Sequence, residues 1–171
     1  PTMINKTNNQ ETVSKLKKAY STLAQATNQI IAEEGPIDSL ELVTATEITS
    51  RENELYDLYK KYLLNAKECR NKRGCLIQAE TNYLDGTKGN WEESGFYRLV
   101  LADGSQFIIT GVFKNCNNSW GASSNICADL YIDINGAKKP NTMGRDIFRF
   151  VLKKDGLYPA GCETQTNSEC N

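Results

Sequence analysis

The sequence contains no histidine among its 171 residues. Histidine is the usual general base and the usual partner of a nucleophilic serine or cysteine, so those catalytic arrangements are excluded. The adjacent glutamates at 33–34 and 92–93 give no sign of the burial across a cleft that paired-carboxylate hydrolysis needs. The glycines do not form a loop with a phosphate-binding spacing. We therefore predict that the chain is not an enzyme and uses no cofactor.

The sequence also has little net charge. Its formal value of −1 provides no broad positive field that would attract nucleic acid or anionic lipid. DNA is therefore a disfavoured partner. The basic cluster of Lys15, Lys17 and Lys18 is interpreted as the solvated side of a helix rather than as a binding patch.

Long apolar runs are missing as well. No run is long enough to cross a membrane, and residues 1–5 have neither the charged start nor the apolar stretch of a targeting segment. The six cysteines nevertheless point to export, because they form close pairs without CxxC spacing. Zinc is the less favoured alternative. Since disulfides persist outside the cytosol, we expect a targeting segment upstream of Pro1.

The cysteine spacing favours local pairing, because short loops close at the least entropic cost. Six cysteines permit fifteen connectivities, so spacing alone does not decide among them. The predicted bonds are Cys69–Cys75, Cys116–Cys127 and Cys162–Cys170.

The first predicted element is a long helix over residues 8–34, which Gly35 and Pro36 end. Its apolar stripe has alternating steps of three and four residues. The stripe consists of Val13, Leu16, Tyr20, Leu23, Thr27 and Ile30, widened by Ala24 and Ile31. The first dozen residues hold few core candidates, so that end should fray unless it continues a helix whose earlier part is missing.

The second predicted helix covers residues 50–67, with Ser50 as its N-cap. It is expected to bury Leu55, Leu58, Tyr59, Tyr62 and Leu63. Residues 36–50 are predicted to form a connection with about one helical turn at 39–43. The basic loop between Cys69 and Cys75 is interpreted as a solvated turn, with a phosphate or partner contact as the alternative.

The second half of the sequence has strand patterns. Strands are predicted at residues 95–101, 106–113, 128–134 and 146–152, and Asp103-Gly104 indicates a hairpin between the first two. Helices followed by strands predict an α+β fold, with an antiparallel meander of about four strands packed on the long helix. The chain is interpreted as a single domain of three parts: the helix at 1–35, a connecting region at 36–94, and the sheet with a C-terminal disulfide loop at 95–171.

Three loop features are candidate sites. Asp133, Asn135 and Asp146 echo the start of a calcium loop, but the pattern lacks a third ligand position and the closing glutamate. An Asx-type turn is therefore favoured over a calcium site. Trp91 and Trp120 lie in predicted loops. Each is interpreted either as a surface-binding aromatic or as a cap over the edge of the core.

Two segments carry a resemblance to a known family. Residues 11–20 look like the place where the apolar half of a pilin helix gives way to its amphipathic half. Residues 133–148, with Asp133-Ile134-Asn135-Gly136 at their start, look like a strand–loop–strand segment of many pilin-like proteins. The chain thus resembles the type IV pilin and type II secretion pseudopilin superfamily, without its N-terminal apolar helix.

This resemblance implies a structural subunit of an extracellular or periplasmic bacterial filament, anchored in the inner membrane before assembly. Its implied partners are other subunits, which it binds through the apolar helix. The inner-membrane assembly machinery and a host or surface ligand are the other implied partners. The isolated domain is expected to be monomeric. The alternative is a secreted or tip-located binding module that recognises a surface, a protein or DNA. The resemblance also implies one rival disulfide, between Cys127 and Cys162.

Overall fold

This computed structural model describes residues 2–40, 48–72, 75, 81–89, 96–121, 123–136 and 138–160, with the backbone alone for residues 2–8 and 48–50. Within these ranges, no helix combines the length and the apolar character needed to cross a membrane. The predicted features at Trp91, Glu92, Glu93, Cys162 and Cys170 lie outside the described residues.

The first helix, α1, spans Thr2–Glu34 and so begins six residues before the predicted start. It ends where the sequence predicts, because Gly35 has a left-handed φ of 97° and its amide bonds to the carbonyl of Ile31 at 3.0 Å. Leu23, Thr27 and Ile30 are buried, as the stripe predicts.

The start of the predicted stripe does not reach the core. Val13 is 50% exposed, so the prediction that it packs on the sheet is wrong. Leu16 and Tyr20 are half-buried, and Ala19 is the first buried side chain among the described residues of α1. The apolar spacing identifies one face of the helix, but the other elements cover that face only from about Leu16 onwards.

The second helix, α2, spans Ile48–Tyr62, which is five residues short of the predicted end. Leu55, Tyr59 and Leu63 are buried as expected, Leu58 and Tyr62 are half-buried, and the sequence pattern missed the fully buried Tyr56. The chain turns just after the helix, where Asn65 has a φ of 61°. Between the helices, a 3-10 turn spans Ile37–Ser39. The helical turn predicted at 39–43 shares only Ser39 with it, and residues 41–43 lie outside the described residues.

The main sheet has six strands, two more than predicted, and its pairings are antiparallel. In their order across the sheet, the strands are β1 (Lys67–Arg70), β4 (Tyr97–Val100), β5 (Gln106–Val112), β8 (Ala128–Asp133), β9 (Ile147–Lys153) and β10 (Gly156–Pro159). The four predicted strands correspond to β4, β5, β8 and β9.

The two unpredicted strands lie at the edges of the sheet. β1 belongs to the region assigned as a connection, and its pairing with β4 extends the sheet into that region. β10 contains Pro159, which an edge strand tolerates because its outer side needs no amide donor. Two small hairpins complete the described strands: β2 (Thr81–Asn82) with β3 (Lys88–Gly89), and β6 (Asn118–Trp120) with β7 (Ser123–Ile126).

Both helices contribute to one core with the sheet. The ring of Tyr20 on α1 stacks on Phe150 of β9 at 5.6 Å between centroids, and its hydroxyl donates to the carbonyl of Leu157 at 3.2 Å. The ring of Tyr59 on α2 packs on Phe107 of β5 at 4.9 Å. Such aromatic contacts add about 0.5–1.5 kcal/mol each to the burial of apolar area. The structure is therefore α+β, with a long N-terminal helix on an antiparallel sheet.

Candidate functional site

The loop between β8 and β9 begins with the Asx-type turn that the sequence favours. Oδ1 of Asp133 accepts hydrogen bonds from the amides of Asn135 at 3.1 Å and Gly136 at 2.9 Å. The carboxylate thereby satisfies two backbone donors at the point where the strand ends. Asp133 is only 6% exposed, so this turn is an internal feature of the fold.

Asp146 closes the same loop from the other side. Its Oδ2 accepts hydrogen bonds from Nδ2 of Asn135 at 2.9 Å and from the amide of Asn141 at 2.6 Å, and its Oδ1 accepts one from the amide of Thr142. Asn141 is buried and has a left-handed φ of 47°. The loop is thus organised by two carboxylates that face N–H groups.

These hydrogen bonds argue against the calcium alternative for this loop. A calcium ion needs six to eight oxygen ligands directed at one point, whereas the oxygens of Asp133 and Asp146 face backbone and side-chain N–H donors. In the described ranges, no group of three or more cysteine, aspartate or glutamate side chains is arranged to hold a metal ion.

Burial shifts the pKa of Asp133 in this loop. The pKa of Asp133 is raised to about 7, mainly by desolvation and to a smaller extent by the charge of Asp146. The hydrogen bonds from the amides of Asn135 and Gly136 act in the opposite direction. Asp133 therefore changes its charge in the neutral range.

The loop rests on the hairpin turn between β4 and β5. That turn contains the predicted Asp103-Gly104, and the amide of Leu101 donates to the carbonyl of Ser105 at 2.8 Å. Gly136 lies so close that a Cβ there would come within 2.3 Å of the carbonyl oxygen of Gly104. With its φ of 61°, only glycine fits at position 136 without displacing the turn.

Two of the three predicted disulfides are confirmed. Cys69 bonds to Cys75, and Cys116 bonds to Cys127. The rival bond between Cys127 and Cys162 is therefore wrong. The Cys116–Cys127 bond joins the segment after β5 to the start of β8 and closes the loop that carries the β6–β7 hairpin.

Trp120 on that hairpin is one of the two predicted surface aromatics. Its side chain is 54% exposed, and the guanidinium of Arg149 lies 4.3 Å from the centroid of its indole ring. Arg149 also donates from Nη2 to Oδ1 of Asp129 at 2.6 Å, and these two side chains are 12% and 16% exposed. Trp120 thus combines the two interpretations, because it covers an ion pair and still presents much of its surface to solvent.

The basic segment after Cys69 is held by α2. Nη2 of Arg70 donates to Asp57 at 2.7 Å, Nη1 contacts Asn53, and the guanidinium lies 4.9 Å from the ring centroid of Tyr56. Arg70 is therefore engaged within the chain, and Arg73 and Gly74 lie outside the described residues. The paired Glu33 and Glu34 are exposed and both bond to Lys61.

One feature was not predicted from the sequence. A cleft of about 470 Å³ lies between α1, β1, the β4–β5 turn and the β8–β9 loop. Four lysines line it, namely Lys15, Lys18, Lys67 and Lys138. They come from three separate segments, so no local motif brings them together.

The chain has no match among family models, and neither a curated protein nor a solved structure is detectably similar to it. The resemblance to pilins therefore stays a hypothesis based on the residues quoted above and on the order of helix and sheet.

Proposed function

We propose that this chain is a structural subunit of a pilin-type bacterial filament, either a type IV pilus or a type II secretion pseudopilus. The order of a long helix followed by an antiparallel sheet that packs on it supports this proposal. The two disulfides also support it, because they suit the periplasm or the cell exterior.

The observation that carries the proposal is the unequal burial of α1. From Ala19 onwards the helix packs on β10 and α2, and Tyr20 stacks on Phe150 of β9. Before it, eight of the ten side chains of residues 9–18 are exposed, and only Thr12 and Leu16 are half-buried. At 1.5 Å per residue, residues 2–18 extend roughly 25 Å before the first fully buried side chain.

A helical arm of this kind gains little stability from its own chain, because most helical stability in proteins comes from packing of one face. Contacts with the arms of neighbouring subunits supply that packing in a filament. Among the described side chains of the arm, at residues 9–18, Val13 is the exposed apolar one, and so it is a position where such contacts are expected. The proposed partners are therefore further copies of this subunit, together with the membrane machinery that assembles them.

Chemical labelling of the full-length gene product in its own cells tests this proposal. A Val13→Cys variant should react with a maleimide in the isolated chain, because the side chain is half exposed, and should be protected in sheared surface filaments. Ser124→Cys, exposed on the outer hairpin, serves as the control and should react in both states. Equal reaction of Val13→Cys in both states, or the absence of this chain from purified filaments, would contradict the proposal.

The reading frame upstream of Pro1 offers an independent test. A short leader with a Gly-Phe-type cleavage site, followed by about twenty apolar residues, supports the subunit. A cleaved secretory peptide alone supports the free module instead. In either case we expect residues 1–171 alone to sediment as a monomer, because the strongest of the proposed filament contacts are made by the apolar helix.

A second candidate function, a secreted or tip-located binding module, is favoured by Trp120. Its exposed indole lies on a hairpin that the Cys116–Cys127 bond and Arg149 hold in place. A rigid exposed aromatic is a common anchor of binding surfaces. For this module, Trp120→Ala should abolish adhesion of coated beads to cells while leaving the melting temperature nearly unchanged. Unchanged adhesion would remove the support for this candidate.

A further inference from the structure

The cleft described above has an unusual charge for a chain with a net charge of −1. Four of its lining residues are lysines, whereas Asp103 is the one carboxylate among them in the described part of the chain. Asp103 pairs with Lys18 at 3.2 Å, and Lys15 pairs with Glu11 at 2.7 Å. Lys67 and Lys138 are exposed, and neither forms a close ion pair within the described residues, although the charge of Lys138 acts on Glu11 from a longer distance. The cleft therefore keeps two cationic groups outside close ion pairs and available to a ligand.

The charges of the lysines act on the same region of the structure, although the lysines are distant in sequence. The hydrogen bond from Lys15 is the main cause that lowers the pKa of Glu11, and the charge of Lys138 adds to it. The positive charge of Lys138 in the β8–β9 loop thus reaches the side chain of Glu11 on α1. Two free ammonium groups at one concave surface attract a carboxylate or phosphate more strongly than either would alone.

The rest of the lining is suited to an organic molecule rather than to a bare ion. Ala19, Val100 and Ile134 contribute apolar surface, and Gln106 contributes a side-chain amide. Gln106 is only 5% exposed, so its amide is a largely buried polar group in the lining of the cleft. The volume of about 470 Å³ is within the usual range of small-molecule sites.

We propose that this cleft binds a small organic anion that carries a carboxylate or a phosphate on a partly apolar body. Lys67 and Lys138 bind the oxyanion, and Ala19, Val100 and Ile134 contact the body. Lys15 and Lys18 strengthen the field, although each already has a carboxylate partner. The proposal concerns a site within one chain, so it does not depend on whether the chain assembles into a filament.

The test is an NMR titration of the isotope-labelled chain with benzoate and with phenyl phosphate. Benzyl alcohol supplies the body without the charge, and inorganic phosphate supplies the charge without the body. We expect saturable shifts, for at least one of the two organic anions, confined to amides around the cleft such as those of Ala19, Gly104 and Gln106. Benzyl alcohol should give no saturable shifts, and inorganic phosphate should bind more weakly than phenyl phosphate. If both organic anions bind, the cleft accepts a carboxylate and a phosphate alike. If only one binds, that one identifies the preferred oxyanion.

The Lys67→Gln/Lys138→Gln variant should weaken binding about tenfold or more, since it removes both free charges. Lys114→Gln is the matched control, because Lys114 is also exposed and follows the opposite end of β5. It should bind like the parent chain. Raising the salt concentration from 50 to 500 mM should weaken binding of the parent through screening. Saturable binding of benzyl alcohol, equal binding by the double variant, or no saturable shift with either organic anion would overturn the proposal.

Discussion

The phenol oxygen of Tyr59 on α2 lies 2.7 Å from the hydroxyl oxygen of Thr27 on α1, and both side chains are fully buried. The Thr27 hydroxyl donates to the carbonyl of Leu23 at 2.8 Å, so the phenol is the donor to Thr27. This bond joins the two helices at the place where Tyr59 also packs on Phe107 of the sheet. It therefore links all three parts of the core.

Thr27→Val should lower the free energy of unfolding by about 1–3 kcal/mol, because it leaves the phenol of Tyr59 buried without an acceptor. Tyr59→Phe should cost only about 1 kcal/mol, since Thr27 keeps its bond to Leu23. Urea denaturation of the two single variants and the double variant measures the coupling. If Thr27→Val costs the same in the Tyr59→Phe background, the bond does not contribute as argued.

Arg149 should be more important for stability than its position near the surface suggests. Arg149→Met leaves the largely buried Asp129 without its partner, and we expect a loss of about 2–4 kcal/mol. Trp120→Ala leaves the ion pair in place and removes the cation–π contact together with the cover of the indole, so it should cost about 0.5–1 kcal/mol. Arg145→Met, in an exposed position on the neighbouring loop, is the control and should change stability by less than about 0.5 kcal/mol. Equal effects of the two arginine variants in thermal melts would contradict this ranking.

The elements that could be predicted from the sequence are those with a strong local period. Both helices and the strands β4, β5, β8 and β9 have such patterns, as does the Asp103-Gly104 hairpin. β1 has none: Lys67 and Glu68 are exposed, and Arg70 has a φ of 43° beside an irregularity in the register. Its strand conformation comes from pairing with β4, which is a tertiary effect that no local pattern records.

The same distinction explains what could be predicted of the sites. The turn at Asp133 follows from Asp-x-Asn-Gly, because an aspartate bonds to amides two and three residues later. The position of Trp120 over Arg149 depends on how a hairpin folds back on the sheet, and the cleft depends on four segments meeting in space. Val13 is the converse case. The sequence pattern correctly places it on the apolar face of a helix, but it does not reveal where the sheet that covers this face ends.

Calcium should not stabilise the isolated chain. The carboxylates of Asp133 and Asp146 accept hydrogen bonds from N–H groups, so a cation would have to displace these donors. We expect the same melting temperature in millimolar calcium and in excess chelator. Ligand binding to the native state would raise the melting temperature by mass action. A clear rise with calcium that Asp133→Ala abolishes would contradict the plain turn.

The third predicted disulfide, Cys162–Cys170, can be checked by peptide mapping without reduction. The Cys69–Cys75 and Cys116–Cys127 bonds use four of the six cysteines, so Cys162 and Cys170 are the two left. A bond over so short a loop should contribute roughly 2–3 kcal/mol in the chain-entropy model. We expect one fragment that contains both residues and carries no free thiol. A free thiol at either position, or a bond from either to another chain, would refute the local pairing.

Asp133 should make stability depend on pH between about 4 and 7. Burial raises its pKa from an ordinary value of 3.8 to about 7, so the folded chain holds a proton that the unfolded chain has released over this range. A raised acid pKa contributes stability that is complete below the unfolded value and is lost as the pH rises through the folded value. The parent chain should therefore lose this contribution on going from pH 4 to pH 7.5.

The Asp133→Asn variant isolates this effect, because its side-chain oxygen can still accept the hydrogen bonds from Asn135 and Gly136 but cannot ionise. Its stability relative to the parent chain should increase from pH 4 to pH 7.5 by on the order of 2–4 kcal/mol, since each unit of pKa shift corresponds to about 1.4 kcal/mol. Urea denaturation at both pH values gives the difference, and subtracting the parent removes the contribution of other groups. A constant difference would mean that Asp133 titrates alike in both states, and a decrease would mean that the folded state favours its charged form.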